Sequence, residues 1–177
     1  MTVGSLFSGI GGFDLGLGRA GFRIAWQSEI EPYVSAVLRR HWPHVPNLGD
    51  IRRIREVPAV DLICGGFPCT DISCAGRGAG LKGSQSSLWF EMLRIIQLAR
   101  PRWCIIENSP ALRVRGMDRI YEGLEAASYT CWPFVVGADD IGAPHRRKRV
   151  WIIAHTDQQY ANYTGHGSGE VFRQEGG

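Results

Sequence analysis

Lysine is nearly absent from this chain. Of its 20 basic residues all but Lys82 and Lys148 are arginine, clustered at 39–40, 52–55, 113–115 and 146–149. Guanidinium suits bidentate phosphate contact, although genome base composition also inflates arginine, so the bias alone is weak evidence for a nucleic-acid partner. No apolar run nears the roughly 20 residues that cross a bilayer. A basic leader with a cleavage site is missing, so the cytosol is the expected compartment. The five cysteines (64, 69, 74, 104, 131) form no C-x-x-C pair and have no histidines at zinc-finger spacing, which argues for free thiols and against a structural metal. No segment repeats. The net charge of +3 is mildly basic, and 177 residues suffice for one domain with its own core.

Strand-like runs alternate with helical periodicity, the pattern of βα units on a parallel sheet, so the fold class is α/β. Strands are expected at 2–6, 22–28, 60–64 and 103–106, with Glu107-Asn108 at the tip of the last. Helices are expected near 13–19, from Pro32 with Val34, Val37, Leu38 and His41 on one face, at 87–100, and at 119–127. Two late strands at 129–136 and 149–154, joined by a loop carrying the basic cluster, suit an antiparallel pair. Residues 65–86 are rich in glycine and serine; loops that long are uncommon in compact domains and usually functional or disordered.

Phe7-Ser8-Gly9-Ile10-Gly11-Gly12 falls between the first strand and its helix, where glycines permit a tight turn and close backbone approach to a ligand. The dinucleotide pattern fails there, because Asp14 stands at its third glycine. Gly16-x-Gly18-x-x-Gly21 matches the pattern but lies in or after the helix, not after a strand. Glu29 and Asp50 follow at successive strand ends. An acid about 20 residues past a glycine turn accepts hydrogen bonds from ribose hydroxyls, and a second can take an exocyclic adenine amine.

The stretch 60–74 carries the chemistry. A buried apolar run ends in Gly65-Gly66, and Phe67-Pro68-Cys69 follows, which sets a thiol just past the carboxyl end of a strand. Such a cysteine is a nucleophile where its surroundings favour the thiolate. Glu107, partly desolvated, is positioned to hold a proton for donation. Arg149 offers a cation for developing negative charge. Asn108 orients either Glu107 or the backbone.

Taken in order, these motifs resemble the catalytic domain of DNA (cytosine-5)-methyltransferases. Phe7–Gly12 resembles the family's first motif, Ser28-Glu29-Ile30-Glu31-Pro32-Tyr33 its second, and Gly49-Asp50-Ile51 its third. Gly66-Phe67-Pro68-Cys69 resembles the nucleophile motif, Glu107-Asn108 the Glu-Asn-Val motif, and Pro144–Arg149, with Arg147 and Arg149, the Gln-x-Arg-x-Arg motif. The resemblance implies a Rossmann-like, S-adenosyl-L-methionine-dependent methyltransferase fold: a mostly parallel sheet, helices on both faces and a late antiparallel strand. It implies that Phe7, Ser8, Gly9, Ile10, Gly11 and Gly12 surround the cofactor. Glu29 and Ile30 then lie at the ribose, Asp50 and Ile51 at adenine, and Pro68 and Leu88 at the border of the site. The implied partner is double-stranded DNA, with the target base flipped out of the stack. Cys69 adds to C6 of cytosine, Glu107 stabilises the adduct near N3, Arg149 supports O2, and the activated C5 takes the methyl group. Residues 70–86 resemble the family's catalytic loop, with Arg77 or Lys82 as phosphate contacts.

Thr70, Ser109 and His145 depart from the family's usual residues, and none removes a group with a direct chemical task. The larger departure is length. The catalytic domain is expected at 1–155, and 156–177 reads as a polar tail where a target recognition domain should begin. The chain is therefore expected to be a fragment, a truncated product, or half of a split enzyme completed by a second polypeptide. The rival expectation is a remnant that binds without catalysing.

Overall fold

The computed structural model describes residues 1–68 and 87–156. In chain order its elements are β1 (Thr2–Leu6), α1 (Gly12–Arg19), β2 (Arg23–Ser28), α2 (Pro32–His41), β3 (Leu62–Gly65), α3 (Ser87–Ala99), β4 (Trp103–Asn108), α4 (Leu112–Arg115), α5 (Met117–Ala126), β5 (Thr130–Val136) and β6 (Arg149–His155), with single 3-10 turns at Ile51–Arg53 and Asp139–Ile141. The sheet order is β2-β1-β3-β4-β6-β5. β1 pairs in parallel with β2 and β3, and β3 with β4; β6 is antiparallel to both β4 and β5. The expected α/β architecture is present, including the antiparallel close.

Alternation along the strands sends successive side chains to opposite faces. One face carries Leu6, Ile63, Ile106, Val150 and Ile152, covered by Trp89, Met92, Ile95 and Ile96 of α3 and by Ile120 and Leu124 of α5. The opposite face carries Val3, Ile24, Leu62 and Cys64 beneath Phe13 and Leu17 of α1. That second layer thins toward β4 and β6, whose residues alternate between buried and half-buried. Phe13 closes part of the gap by meeting Trp151 edge-on, with ring centroids 5.4 Å apart.

Several boundaries differ from the sequence reading. Glu107 and Asn108 are not a tip beyond the strand; they are the last two residues of β4, because β6 continues to pair with them through Trp151 and Val150. The helix expected at 119–127 is Met117–Ala126, preceded by the separate turn of α4, which the buried Leu112 anchors. His41 is exposed, so the inner face of α2 rests on Leu38. Cys131 is only half-buried, whereas Cys64 and Cys104 are fully buried thiols.

Candidate active site

β1 ends at Leu6, and the chain must reverse at once to enter α1. It does so through Phe7, Gly9 and Gly11, all left-handed (φ 50°, 54° and 89°). Glycine is needed at 11, where the Trp42 ring occupies the space a Cβ would take. For Phe7 the left-handed conformation costs about 1–2 kcal/mol, so its surroundings must hold it. The Ser8 hydroxyl donates to the Ser5 carbonyl at 2.9 Å, and the Gly9 amide donates to Glu29 Oε2 at 2.9 Å.

Glu29 follows β2 directly and is a multiple acceptor. Its Oε1 receives the amides of Ile30 (2.8 Å) and Glu31 (2.9 Å), so three backbone donors converge on one carboxylate. A carboxylate has about four acceptor positions, which leaves one for a ligand hydroxyl.

Beside it opens a cavity of about 590 Å³ lined by Phe7, Glu29, Ile30, Asp50, Ile51, Pro68 and Leu88, seven residues that the resemblance assigns to the cofactor, together with Ser28, Glu31, Gly49, Arg52 and Gly66. The other assigned residues form the turn behind it or face elsewhere: Ser8 and Gly11 are buried, Gly9 is half-buried, Ile10 is exposed, and Gly12 lines a second cavity. Asp50 caps the 3-10 turn by accepting the Arg52 amide at 3.0 Å, and both its oxygens receive the Arg52 guanidinium (2.8–3.1 Å). That hydrogen bonding to Arg52 holds Asp50 below the usual carboxylate range. A role toward adenine therefore requires Arg52, an exposed side chain, to swing away.

Gly66 joins this cavity to the reacting groups. It lines the cavity wall, and a Cβ there would stand 2.7 Å from Glu107 Oε2. Glu107 and Arg149 share one face of the sheet and meet at 2.7 Å, Oε1 to Nε. Desolvation pushes the Glu107 carboxyl above its ordinary range, opposed by the charges of Arg149 and Arg147 and the Arg149 hydrogen bond. Arg147, exposed, lines the same second cavity as Glu107 and Arg149, of about 760 Å³ and otherwise mostly apolar. Asn108, one residue on, faces the opposite side, where its Nδ2 donates to the Phe67 carbonyl at 3.2 Å. It thus orients the backbone leading to Pro68 rather than Glu107. Cys69, Arg77 and Lys82 lie outside the described residues.

A sequence profile for C-5 cytosine-specific DNA methylase matches residues 1–174. The chain belongs to that family. The methylase family bears out the expected fold class and donor, S-adenosyl-L-methionine. Among its curated relatives, the type II methyltransferase M2.BsuMI of Bacillus subtilis is 40% identical over 163 residues, covering 87% of this chain and 42% of that protein. M.HgiCII of Herpetosiphon aurantiacus is 34% identical, over 84% of this chain and 36% of that protein. A putative DNA modification methyltransferase encoded within an E. coli prophage superposes with TM-score 0.74 at 24% identity, covering 90% of this chain and 48% of that one. Entamoeba histolytica methyltransferase EhMeth gives TM-score 0.74 at 17% identity, over 88% and 52%. The chain thus spans about half or less of the length of these relatives.

Two side chains that shape the site escaped the motif reading. Arg94 of α3 donates to the carbonyls of Ile51 (2.8 Å) and Ile54 (2.9 Å), fastening the turn that carries Asp50. Asp14, wholly buried, accepts from Ser5 Oγ at 2.9 Å and Gln27 Nε2 at 2.7 Å. For Asp14 the available signal was Gln27, a polar residue that follows the apolar run Ile24-Ala25-Trp26 of β2; for Arg94 there was none.

Proposed function

We propose that this chain carries the donor pocket and reacting groups of an enzyme that methylates C5 of cytosine in DNA, through a covalent bond between Cys69 and C6 of a flipped-out base. The observation that carries the reading is the Glu107–Arg149 pair, set one glycine away from the cavity, with Glu107 at the end of β4 beside β3, the strand that precedes Cys69, and Arg149 on β6 across from it.

The 590 Å³ cavity suits S-adenosyl-L-methionine by the chemistry of its walls. Glu29 keeps an acceptor position for a ribose hydroxyl, and Phe7, Ile51 and Leu88 offer apolar surfaces to a purine. Bound there, the donor would supply an electrophilic methyl group. Cytosine C5 is a weak nucleophile until electron density is pushed into the ring, which is the task of the Cys69 thiolate at C6; after C5 has taken the methyl group, loss of the C5 proton and elimination of the Cys69 sulfur from C6 restore the aromatic ring and the free enzyme. Glu107, holding its proton above the usual carboxylate range, hydrogen-bonds or protonates N3 and so takes up the charge that addition creates. Arg149 and Arg147 then stabilise negative character at O2 and fix the Glu107 carboxyl. Asn108 holds the Phe67 carbonyl and with it the entry to the nucleophile segment. Because C5 and C6 are covered in a duplex, the base must leave the stack.

The test is trapping on duplex DNA containing 5-fluorocytosine, with donor present. A covalent adduct that disappears in Cys69→Ser supports the reading; no adduct with wild type, alone or mixed with the carboxyl-terminal half of a relative, overturns it.

A further inference from the structure

Asp14 is fully buried and belongs to none of the motifs assigned to donor or base. It occupies the first turn of α1, directly after the glycine turn. Its two oxygens are divided between two strands: Oδ2 accepts from Ser5 Oγ of β1 (2.9 Å) and Oδ1 from Gln27 Nε2 of β2 (2.7 Å). No salt bridge among the described residues includes it. A buried carboxylate without a cation is costly to keep, so its hydrogen bonds and the first-turn amides of α1 must hold it.

What these bonds govern is the pocket wall. Ser5 is shared: its hydroxyl serves Asp14, and its carbonyl receives Ser8 Oγ from the glycine turn at 2.9 Å. Gln27 is shared too. Its backbone accepts from the Leu48 amide (2.7 Å) and donates to the Pro46 carbonyl (2.9 Å), placing the segment that runs into Gly49 and Asp50. Through Ser5 and Gln27 the carboxylate therefore links the Phe7 wall of the 590 Å³ cavity to its Asp50 wall, while Glu29 holds the turn through the Gly9 amide. Phe7, held in a left-handed conformation, is the lining residue with most to lose if the base of the turn relaxes.

We propose that Asp14 is a positioning residue for the methyl-donor pocket, its carboxylate holding Ser5 and Gln27 so that the glycine turn keeps the shape that receives the donor. This rests on the reading of the 590 Å³ cavity as that pocket.

The experiment compares wild type, Asp14→Asn, Gln27→Glu and the double variant D14N/Q27E, with S-adenosylhomocysteine as calorimetric probe. Amide exchange at Gly9 and Gly11 and the melting temperature are recorded without ligand. The D14N side chain keeps one acceptor oxygen for Ser5 and turns an N–H toward Gln27, which must turn its own amide over to accept it, whereas the double variant exchanges amide and carboxylate and restores a complementary pair without that rearrangement. Expected are an affinity loss of about tenfold or more in D14N, faster exchange at Gly9 and Gly11, a melting temperature within about 3 °C of wild type, and recovery to within about threefold in the double variant. The proposal is overturned if D14N binds and exchanges as wild type does. It is equally overturned if D14N loses affinity only by melting and the double variant does not recover. Absence of binding by wild type would instead defeat the donor-pocket reading. Exchange at Gly9 and Gly11 alone would then decide whether Asp14 sets the turn.

Discussion

Glu107 and Arg149 meet at 2.7 Å although they lie far apart in sequence. Glu107 pairs with Trp151, and Arg149 stands two residues before Trp151 on β6, so antiparallel register brings both side chains to one face. Each is about a quarter exposed, and the pair closes one side of an apolar cavity. Pairing of that kind sets the proton affinity of the acid.

Removing the cation should therefore move the acid. In Arg149→Gln the Glu107 carboxyl is expected to titrate at higher pH than in wild type, because desolvation then acts with less opposition. Carboxyl carbon NMR across a pH series checks this, and an unchanged or lower midpoint would contradict it. A methylation rate down about a hundredfold is expected alongside.

The same shift has a stability consequence whose sign follows from linkage. Folded Glu107 keeps its proton to higher pH than in the unfolded chain, so its stabilising contribution is complete below the unfolded value and is lost as pH rises through the folded one. Glu107→Gln removes that dependence. Denaturation midpoints of wild type relative to E107Q should fall across the window from the ordinary carboxylate range upward and be level below it.

Gly65 and Gly66 should respond differently to alanine. A Cβ at 65 stands 2.6 Å from the Leu6 carbonyl, backbone that cannot move without breaking the β1–β3 pairing. Gly65→Ala is expected to cost about 2–3 kcal/mol by urea unfolding. At 66 the obstacle is the Glu107 carboxylate, a side-chain end, so Gly66→Ala should unfold near wild type yet lose most activity and shift the Glu107 titration.

Glu29→Gln leaves an amide group facing backbone N–H donors. Donor affinity is expected to fall about tenfold or more, with about 1–2 kcal/mol of stability lost, since an amide of the 9, 30, 31 set loses its acceptor. Calorimetry and chemical denaturation read the two effects separately.

Arg52→Ala frees Asp50. Its carboxyl should titrate closer to the ordinary value, as the Arg52 hydrogen bond is what lowers it. Donor affinity should rise if Asp50 faces the purine amine, and unchanged affinity would assign the adenine contact to Ile51 and the backbone alone.

Local pattern made much of this protein readable in one dimension. The alternating runs identified the sheet, and Pro32 opened α2 as expected because its fixed φ suits a first helical turn. Phe7–Gly12, Glu29, Asp50 and Glu107 stood out because turn chemistry and strand ends leave local signatures. Register left none. That Glu107 remains in β4, that Asn108 turns to the Phe67 carbonyl and that Arg149 lies over Glu107 depend on how β6 aligns with β4. Nor could the pattern show that the Asp50 carboxylate is taken by Arg52, or that the buried Asp14 bridges β1 and β2. Composition and spacing determined which groups this chain carries and the α/β layout they sit on. Tertiary structure alone decided their partners, because strand alignment and burial set charge, distance and proton affinity among residues far apart in the chain.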